Sequence, residues 1–150
     1  MTAAVTIEPE PLFVVRAGCV GDLDFVLASW VESARYDAFC RDAGPAWRAE
    51  HRALAQRLVE SSTLLVAHAP GDIDAIFGWA LGRAPAVLHY VYVKRGDARR
   101  LGIARTLISR LFDAEPDAVA SLPVEYTHRP AVRGLAIPAS WRYVPVTYRQ

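Results

Sequence analysis

The sequence has few cysteines, and none of them is spaced for a common metal or disulfide motif. Its 150 residues include two cysteines, Cys19 and Cys40, which form no C-x-x-C pair and have no histidine pair beside them. This spacing argues against a zinc site and against a disulfide framework. We therefore expect no metal, and we predict free, buried thiols in a reducing, cytoplasmic protein.

Long apolar runs and an excess of one charge are also missing. No apolar run approaches the roughly 20 residues that a membrane-spanning helix requires, so no membrane partner is expected. Residues 1–11 carry Glu8 and Glu10 where a secretory signal would be basic and then apolar. The formal net charge of +1 gives no overall argument for nucleic-acid binding. With 53% hydrophobic and 22% charged residues, the composition is typical of one globular domain covering residues 1–150.

Apolar periodicity predicts helices first and strands afterwards. After a strand at residues 12–17, helices are predicted following Asp22 and Pro45, because apolar residues recur there at helical spacing. Residues 63–69, 75–82 and 86–93 are rich in strand-forming side chains, and short turns separate them. Consecutive strands joined by short turns pair antiparallel, so these three predict a meander. The remaining predicted elements are a helix at 101–115, a strand at 122–127, a short helix at 131–135 and a strand at 141–148.

Positive charge is concentrated between the meander and the third helix. The charged residues of this segment are Lys94, Arg95, Arg99, Arg100 and Arg105. The first amides of a helix have no helical partner and bind anions, and Gly102 allows a ligand close to the backbone. Arginines beside them add charge-assisted hydrogen bonds to a pyrophosphate. A solvated charge run is one alternative, and nucleic-acid contact is another that lacks interleaved aromatic residues.

Residues 99–104 read R-x-x-G-x-A and resemble the acyl-CoA pyrophosphate signature, Q/R-x-x-G-x-G/A, of the GNAT superfamily of N-acetyltransferases. The order of elements, residues 12–24 and residues 77–82 also resemble that family. The resemblance implies an α/β (α+β) fold, with a mixed, mostly antiparallel sheet of six to seven strands and helices on both faces. It implies acetyl-CoA as acyl donor, bound by Val91, Tyr92, Val93, Arg99, Arg100, Leu101, Gly102, Ile103, Ala104 and Arg105.

The same resemblance implies a direct transfer to an amine. The strand before the phosphate turn would splay from its neighbour and pair with the pantetheine arm through residues 91–93. An N–H near Val93 would polarise the thioester carbonyl. His89 is the first candidate for the base, because it lies four residues before Val93 on the same predicted strand face. A histidine packed in the core is the alternative.

The sequence departs from the family at the general acid. Many members use a tyrosine in the helix after the fifth strand, and residues 131–136 contain none. Tyr126 and His128 are substitutes by position, and a structural role is the alternative for each. An acyl-CoA binder with little or no catalysis therefore stands beside the N-acetyltransferase as a second hypothesis.

The acceptor is left open by the sequence. The resemblance places the amine pocket between the first two helices, where aromatic residues with nearby carboxylates suit a cationic amine, although core packing also explains the tryptophans. These residues are Trp30, Tyr36, Asp37, Phe39, Asp42 and Trp47. The end of the chain resembles small phage-encoded members, which adds a nucleobase or nucleic-acid-linked amine and a basic rim of His128, Arg129, Arg133, Arg142 and Arg149. Pro145 predicts an edge or bulged strand, and that edge leaves a homodimer open.

Overall fold

The computed structural model describes residues 3–34, 44–94, 96, 101–128 and 137–145. Within these ranges no helix is both long enough and apolar enough to cross a membrane. The helices are α1 (Leu23–Ala34), α2 (Pro45–Glu60) and α3 (Ile103–Leu111), with two 3-10 segments at Val20–Asp22 and Pro116–Ser121. The strands are β1 (Val14–Ala17), β2 (Thr63–Ala69), β3 (Asp72–Arg83), β4 (Val87–Val93), β5 (Glu125–Tyr126) and β6 (Arg142–Tyr143).

The strands of the described part of the chain form one six-stranded sheet in the order β1 to β6. The first four pair antiparallel, whereas β5 pairs with β4 and β6 with β5 in parallel. The predicted mixed, mostly antiparallel sheet and its central meander are confirmed. The last strand lies at the edge, as Pro145 predicts, because proline has no amide to donate to a further strand.

Both faces of the sheet are covered, as predicted, and each cover has its own core. On one face α3 packs against aliphatic side chains of the strands, and the fully buried members of this core include Leu88, Ile103, Leu107 and Val124. On the other face α1 and α2 cover a core that is rich in aromatic rings, with Trp30, Trp79 and Tyr90 among its buried members.

An irregularity in β4 interrupts the two-residue alternation at His89. Leu81 lies opposite Tyr90 and Gly82 lies opposite Leu88, so His89 is an extra residue without a cross-strand partner in this register. Leu88 consequently belongs to the core under α3, and Tyr90, two residues later, belongs to the opposite core. Counting in steps of two from His89 to Val93, as the sequence prediction does, is therefore not valid across this β-bulge.

Several predicted elements differ from the structure in their bounds, and three of the differences around α3 and β5 have a local cause. Helix α3 begins at Ile103, two residues later than predicted, because Gly102 precedes it with a left-handed φ of 73°. Pro116 opens a 3-10 helix that the sequence prediction did not include, in keeping with the tolerance of proline in a first turn. Strand β5 covers two residues of the predicted 122–127, since it pairs with β4 only at Val87 and Leu88.

The cysteine prediction is wrong for Cys19. This residue is a free thiol, as predicted, yet it is exposed, because it lies in the loop just before the first 3-10 segment. Cys40 lies outside the described residues, as do residues 131–135 of the predicted short helix and residues 146–148 of the predicted last strand.

Candidate functional site

Strand β4 is longer than its parallel neighbour β5, and its second half extends beyond the end of β5. The Glu125 N–H donates to the Ala86 carbonyl at 2.8 Å, and the Thr127 N–H donates to the Leu88 carbonyl at 3.0 Å. These bonds lie at the start of β4, which continues to Val93, whereas β5 ends at Tyr126. Among the described residues, the second half of β4 is therefore paired with β3 and not with β5.

The register fixes which backbone groups of β4 point towards that edge. The Lys94 N–H donates to the Phe77 carbonyl, in the middle of β3, at 2.7 Å. Hydrogen-bonded and non-hydrogen-bonded pairs alternate along an antiparallel ladder, so Tyr92 also directs its backbone groups to β3. The backbone groups of Val91 and Val93 point the other way, towards the side on which β5 has ended. Of the three residues predicted to contact pantetheine, Val91 and Val93 thus direct their backbone groups away from β3, and the contact with pantetheine stays a prediction.

The turn before α3 leaves open space beside its backbone. Gly102 is exposed, and a Cβ built on it would meet no atom of the described residues within 4 Å. The next residues anchor the helix, since Ile103 is buried and Ala104 packs against the core under α3. A ligand can therefore approach the first turn of α3 closely at Gly102 without displacing a side chain.

The predicted arginines of this turn have different outcomes. The Arg105 guanidinium donates to an Asp117 carboxylate oxygen at 2.8 Å and to the Pro116 carbonyl at 3.1 Å. It is engaged by the second 3-10 segment in this structure. Arg99 and Arg100 lie outside the described residues, and Leu101 is partly buried.

Three histidines from distant parts of the chain meet on the α1/α2 face of the sheet, and we call His51, His89, Thr127 and His128 the histidine cluster. The Thr127 Oγ1 lies 2.9 Å from His89 Nδ1 and 2.8 Å from His128 Nδ1, so the hydroxyl bridges the two imidazoles. The ring of His51 lies 6.1 Å from that of His128. Two predicted catalytic residues, His89 and His128, are thus brought together.

His51 and Thr127 were not among the residues predicted for the site. His51 lies at a position of α2 whose helical spacing matches the apolar face, and it is buried. A histidine on such a face is the signal that the sequence offered. Thr127 gave no comparable signal, because its role depends on the parallel pairing of β5 with β4.

Aromatic rings enclose the histidine cluster. The Trp30 ring lies 5.4 Å from the ring of His128 and 6.2 Å from that of His51, both nearly perpendicular. Trp47 stacks on His51 at 4.8 Å, and Tyr90 lies 4.9 Å from Trp30. Trp30 and Trp47, predicted to line the acceptor pocket, therefore do lie together. The other predicted pocket residues, Tyr36, Asp37, Phe39 and Asp42, lie outside the described residues.

Burial keeps the histidines of the cluster neutral. It lowers the pKa of His51, and it lowers the pKa of His89 to about 4, with the positive charge of Arg83 acting in the same direction. Burial also lowers the pKa of His128 to about 4, assisted by His51 and His89 and opposed by a hydrogen bond to the His89 backbone. Uncharged imidazoles can each donate one hydrogen bond and accept one.

Several polar atoms of this region have no partner among the described residues. These atoms are Trp30 Nε1, both ring nitrogens of His51, and His89 Nε2. The described residues contain no group of three or more His, Cys, Asp or Glu side chains arranged to hold a metal ion. The neutral imidazole rings of the histidine cluster can thus form hydrogen bonds and transfer protons.

Tyr126 lies apart from the cluster. Its ring packs against the core under α3 and lies 5.5 Å from the ring of Tyr143. Of the predicted basic rim, Arg142 is described and pairs with Glu125 at 2.8 Å, whereas Arg129, Arg133 and Arg149 lie outside the described residues. His128 is partly buried in the cluster, so it does not belong to an exposed rim.

Comparison with known proteins gives matches of structure alone. The sequence matches no protein-family model and no curated protein. Among solved structures, the chain is similar to apo YjaB from Escherichia coli, with 20% identity, 67% of this chain and 65% of that chain covered, and a TM-score of 0.48. A GCN5-related N-acetyltransferase from Rhodopseudomonas palustris is also similar, with 18% identity, 72% and 67% covered, and a TM-score of 0.47.

A third similar structure is yncA from Salmonella typhimurium, solved with its cofactor acetyl-CoA, with 21% identity, 71% and 64% covered, and a TM-score of 0.41. The matched region thus spans about two thirds of each of these proteins. At such identities and TM-scores the likeness assigns no activity to this chain. None of these three structures bears on the resemblance of the last residues to phage-encoded proteins.

Proposed function

We propose that the chain is an acyl-CoA-dependent N-acetyltransferase that transfers an acetyl group directly from acetyl-CoA to a primary amine of a small molecule or protein. The observation that carries the proposal is the edge of β4, where the backbone groups of Val91 lie beyond the end of β5. It is supported by the open first turn of α3 at Gly102 and by the R-x-x-G-x-A sequence of residues 99–104.

The edge of β4 suits an extended chain of amides. Such a chain pairs with exposed strand groups as an added strand would, and the pantetheine arm of acetyl-CoA has two amides along an extended chain. The backbone groups of Val91 have the orientation that this pairing needs. The amides that open α3 would hold the pyrophosphate, with Arg99 and Arg100 as further donors.

His89 is the proposed base for the attacking amine. Acetyl-CoA would supply an activated acetyl group. The amine nitrogen would form the new C–N bond as the C–S bond breaks, the leaving CoA thiolate would take a proton from solvent, and the amine proton would pass to the base. When Thr127 Oγ1 accepts from His89 Nδ1–H, the other ring nitrogen of His89 has a lone pair for that proton. His89 Nε2 has no partner among the described residues, and it is thus available for this role.

Two observations favour a second candidate, an acyl-CoA binder with little or no catalysis. The low pKa of His89, about 4, makes its imidazole a weak base at neutral pH. Tyr126, a predicted substitute for the general acid, packs on the opposite face of the sheet from the histidine cluster. Both candidates predict acetyl-CoA binding, and only the enzyme predicts release of free CoA that depends on an amine.

Calorimetric titration with acetyl-CoA and CoA tests the shared part of both candidates. Gly102→Val should weaken acetyl-CoA binding by about tenfold or more, because its side chain would occupy the space beside the first turn of α3. Gly71→Val is the matched control, since Gly71 has a similar φ of 75° and similarly open surroundings in the β2–β3 turn. Absence of acetyl-CoA binding to the wild-type protein would end the proposal.

A thiol-release assay with a panel of primary amines separates the enzyme from the binder. In the enzyme, His89→Ala should lower turnover at saturating acetyl-CoA by far more than about threefold, in line with the usual contribution of a general base. His68→Ala, which removes another buried histidine away from the cluster, should not. A loss below threefold for His89→Ala would remove that residue from the mechanism, and no release with any amine would favour the binder.

A further inference from the structure

The unpartnered polar atoms around the histidine cluster are the feature that the proposed transfer does not use in full. Trp30, His51 and His89 are 0%, 6% and 3% exposed, and four of their ring nitrogens have no hydrogen-bond partner among the described residues. Buried polar groups in folded proteins are almost always hydrogen-bonded. Several such atoms in one place therefore indicate that a hydrogen-bonding molecule belongs there.

The rings that carry these atoms converge. Trp30, His51 and His128 lie 5.4 to 6.2 Å from one another between ring centroids, at mutual angles of 79° to 84°. His89 is joined to His128 through the Thr127 hydroxyl. Two further buried polar atoms, Arg16 Nε and Ser62 Oγ, also have no partner within the described part of the chain, and no ring contact or hydrogen bond described there joins either residue to this group.

The donors and acceptors define what can bind. The Trp30 indole can only donate, so it requires an acceptor atom on the partner. The neutral ring of His51 has one N–H and one lone pair, so it requires both an acceptor and a donor. A partner for the cluster must accordingly carry both kinds of atom, which a carboxamide does and which a carboxylate or an ammonium alone does not.

The surroundings also select the charge and the shape of the partner. None of the three histidines is paired with a carboxylate of the described residues, and their environment disfavours positive charge. A cation bound here would be desolvated without a counter-charge from these residues. Around the cluster flat rings already pack against one another, Trp47 on His51 and Trp30 on Tyr90, so a planar partner suits this layer better than a bulky one.

We propose that Trp30, His51 and the histidine cluster bind an uncharged, planar group with both a hydrogen-bond donor and an acceptor, such as an aromatic carboxamide, and that this group is the recognition element of the amine acceptor. The second clause rests on the proposed function, and the first does not. The proposal differs from the cationic acceptor that the sequence predicts, and a charge series of ligands separates the two.

Benzamide, benzamidine and benzoate are suitable probes, because they have nearly the same shape and are neutral, cationic and anionic at pH 7.5. We expect benzamide to bind the full chain at least about tenfold more tightly than either ion in a calorimetric or NMR titration, a difference of about 1.4 kcal/mol or more. Preference for benzamidine would overturn the proposal in favour of a cationic site. Equal or absent binding of all three would show that the cluster holds water only.

Substitutions of His51 test whether benzamide binds at the histidine cluster. His51→Phe keeps a ring beside Trp47 and removes both nitrogens, so it should weaken benzamide by about tenfold, whereas His51→Gln restores a donor and an acceptor and should recover most of the affinity. His68→Phe is the control, as His68 is equally buried but bonds to the Ala69 carbonyl outside the cluster. Unchanged affinity in a folded His51→Phe protein would overturn the proposal.

Acetyl-CoA distinguishes failure of this inference from failure of the proposed function. If acetyl-CoA binds and benzamide does not, the recognition element is wrong and the proposed transfer stands. If benzamide binds through His51 and acetyl-CoA does not, the binding site stands and the proposed transfer is wrong. If both bind, 4-(aminomethyl)benzamide should release CoA faster than benzylamine, and an equal rate would overturn the second clause of the proposal.

Discussion

The two faces of the sheet are packed by different chemistry. Under α3 the core is largely aliphatic, whereas the core under α1 and α2 holds tryptophan and tyrosine rings, some of them with polar partners. On that second face the Trp79 indole donates to Ser29 Oγ at 2.8 Å, and the Tyr90 hydroxyl lies 2.7 Å from Ser33 Oγ. The Trp30 indole, in the same layer, has no such partner among the described residues.

The two faces therefore differ in how completely their buried polar atoms are hydrogen-bonded. Leaving a buried donor or acceptor unpaired costs about 1–3 kcal/mol, while a whole domain is stable by only about 5–15 kcal/mol. In the residues that the structure describes, the core under α3 contains no buried side-chain donor or acceptor without a hydrogen-bond partner, so it does not pay this free-energy cost. We infer that the aliphatic core under α3 serves stability alone, and that the core under α1 and α2 also supplies the hydrogen-bonding groups of the histidine cluster.

Among the single substitutions, the largest effect on stability is expected for a truncation on the α3 face. Leu107 is fully buried in the aliphatic core, so Leu107→Ala should lower the free energy of unfolding by about 2–5 kcal/mol, through lost burial and the cavity that remains. Urea denaturation measures this change. Benzamide affinity of the folded variant should be unaffected, and a loss of affinity comparable to that of His51→Phe would contradict the division between the faces.

Acid should destabilise the protein through the α1/α2 face. His89 and His128 have a pKa of about 4 in the folded chain and an ordinary value of 6.5, so below pH 6.5 the unfolded chain binds protons that the folded chain does not. Stability should therefore fall from pH 6.5 to pH 4, by up to about 1.4 kcal/mol per pH unit for each group. Urea denaturation at pH 7.5, 6 and 5 measures this, and a flat profile would mean that these rings are hydrated.

Local patterns in the sequence were enough to predict most of the fold, and they failed where distant segments meet. Helical spacing and turn residues predicted the three α-helices of the described residues and the meander, with β2 at its predicted bounds. The bulge at His89 depends on the hydrogen-bonding register of β4 with β3 on one side and β5 on the other. The sequence of β4 alone does not indicate that register. For the same reason the meeting of His51 with His128 was not predicted, because α2 and the end of β5 are adjacent only in the folded sheet.

A buried carboxylate that is hydrogen-bonded through both oxygens should behave differently from the unpartnered ring nitrogens of the histidine cluster. Buried Asp22 accepts two hydrogen bonds from Arg16, at 2.7 and 2.8 Å, and one from the Cys19 N–H, which lowers its pKa to about 2. Asp22→Asn should reduce stability by about 1–3 kcal/mol, because the Arg16 charge loses its partner. This contribution should be lost only as pH falls from 3.8 towards 2, below the histidine range.

The exposed ion pair of Arg105 and Asp117 is the control for Asp22. Its bond length is also 2.8 Å, but both side chains are largely in solvent, so Asp117→Asn should cost less than about 1 kcal/mol. Urea denaturation of both variants at pH 7 gives the comparison. Equal losses would show that burial of Asp22 does not strengthen its pairing.

The smallest change in stability is expected for His51→Phe, although the same substitution is predicted to abolish most of the benzamide affinity. Phenylalanine keeps the stacking on Trp47 and removes two nitrogens that have no partner among the described residues, so the gain from fewer unpaired atoms offsets the altered packing. Stability should change by less than about 1 kcal/mol in either direction. A loss above about 2 kcal/mol, within the range expected for Leu107→Ala, would mean that the nitrogens of His51 are bonded in the folded protein. The two faces of the sheet would then differ in amino-acid composition and not in function.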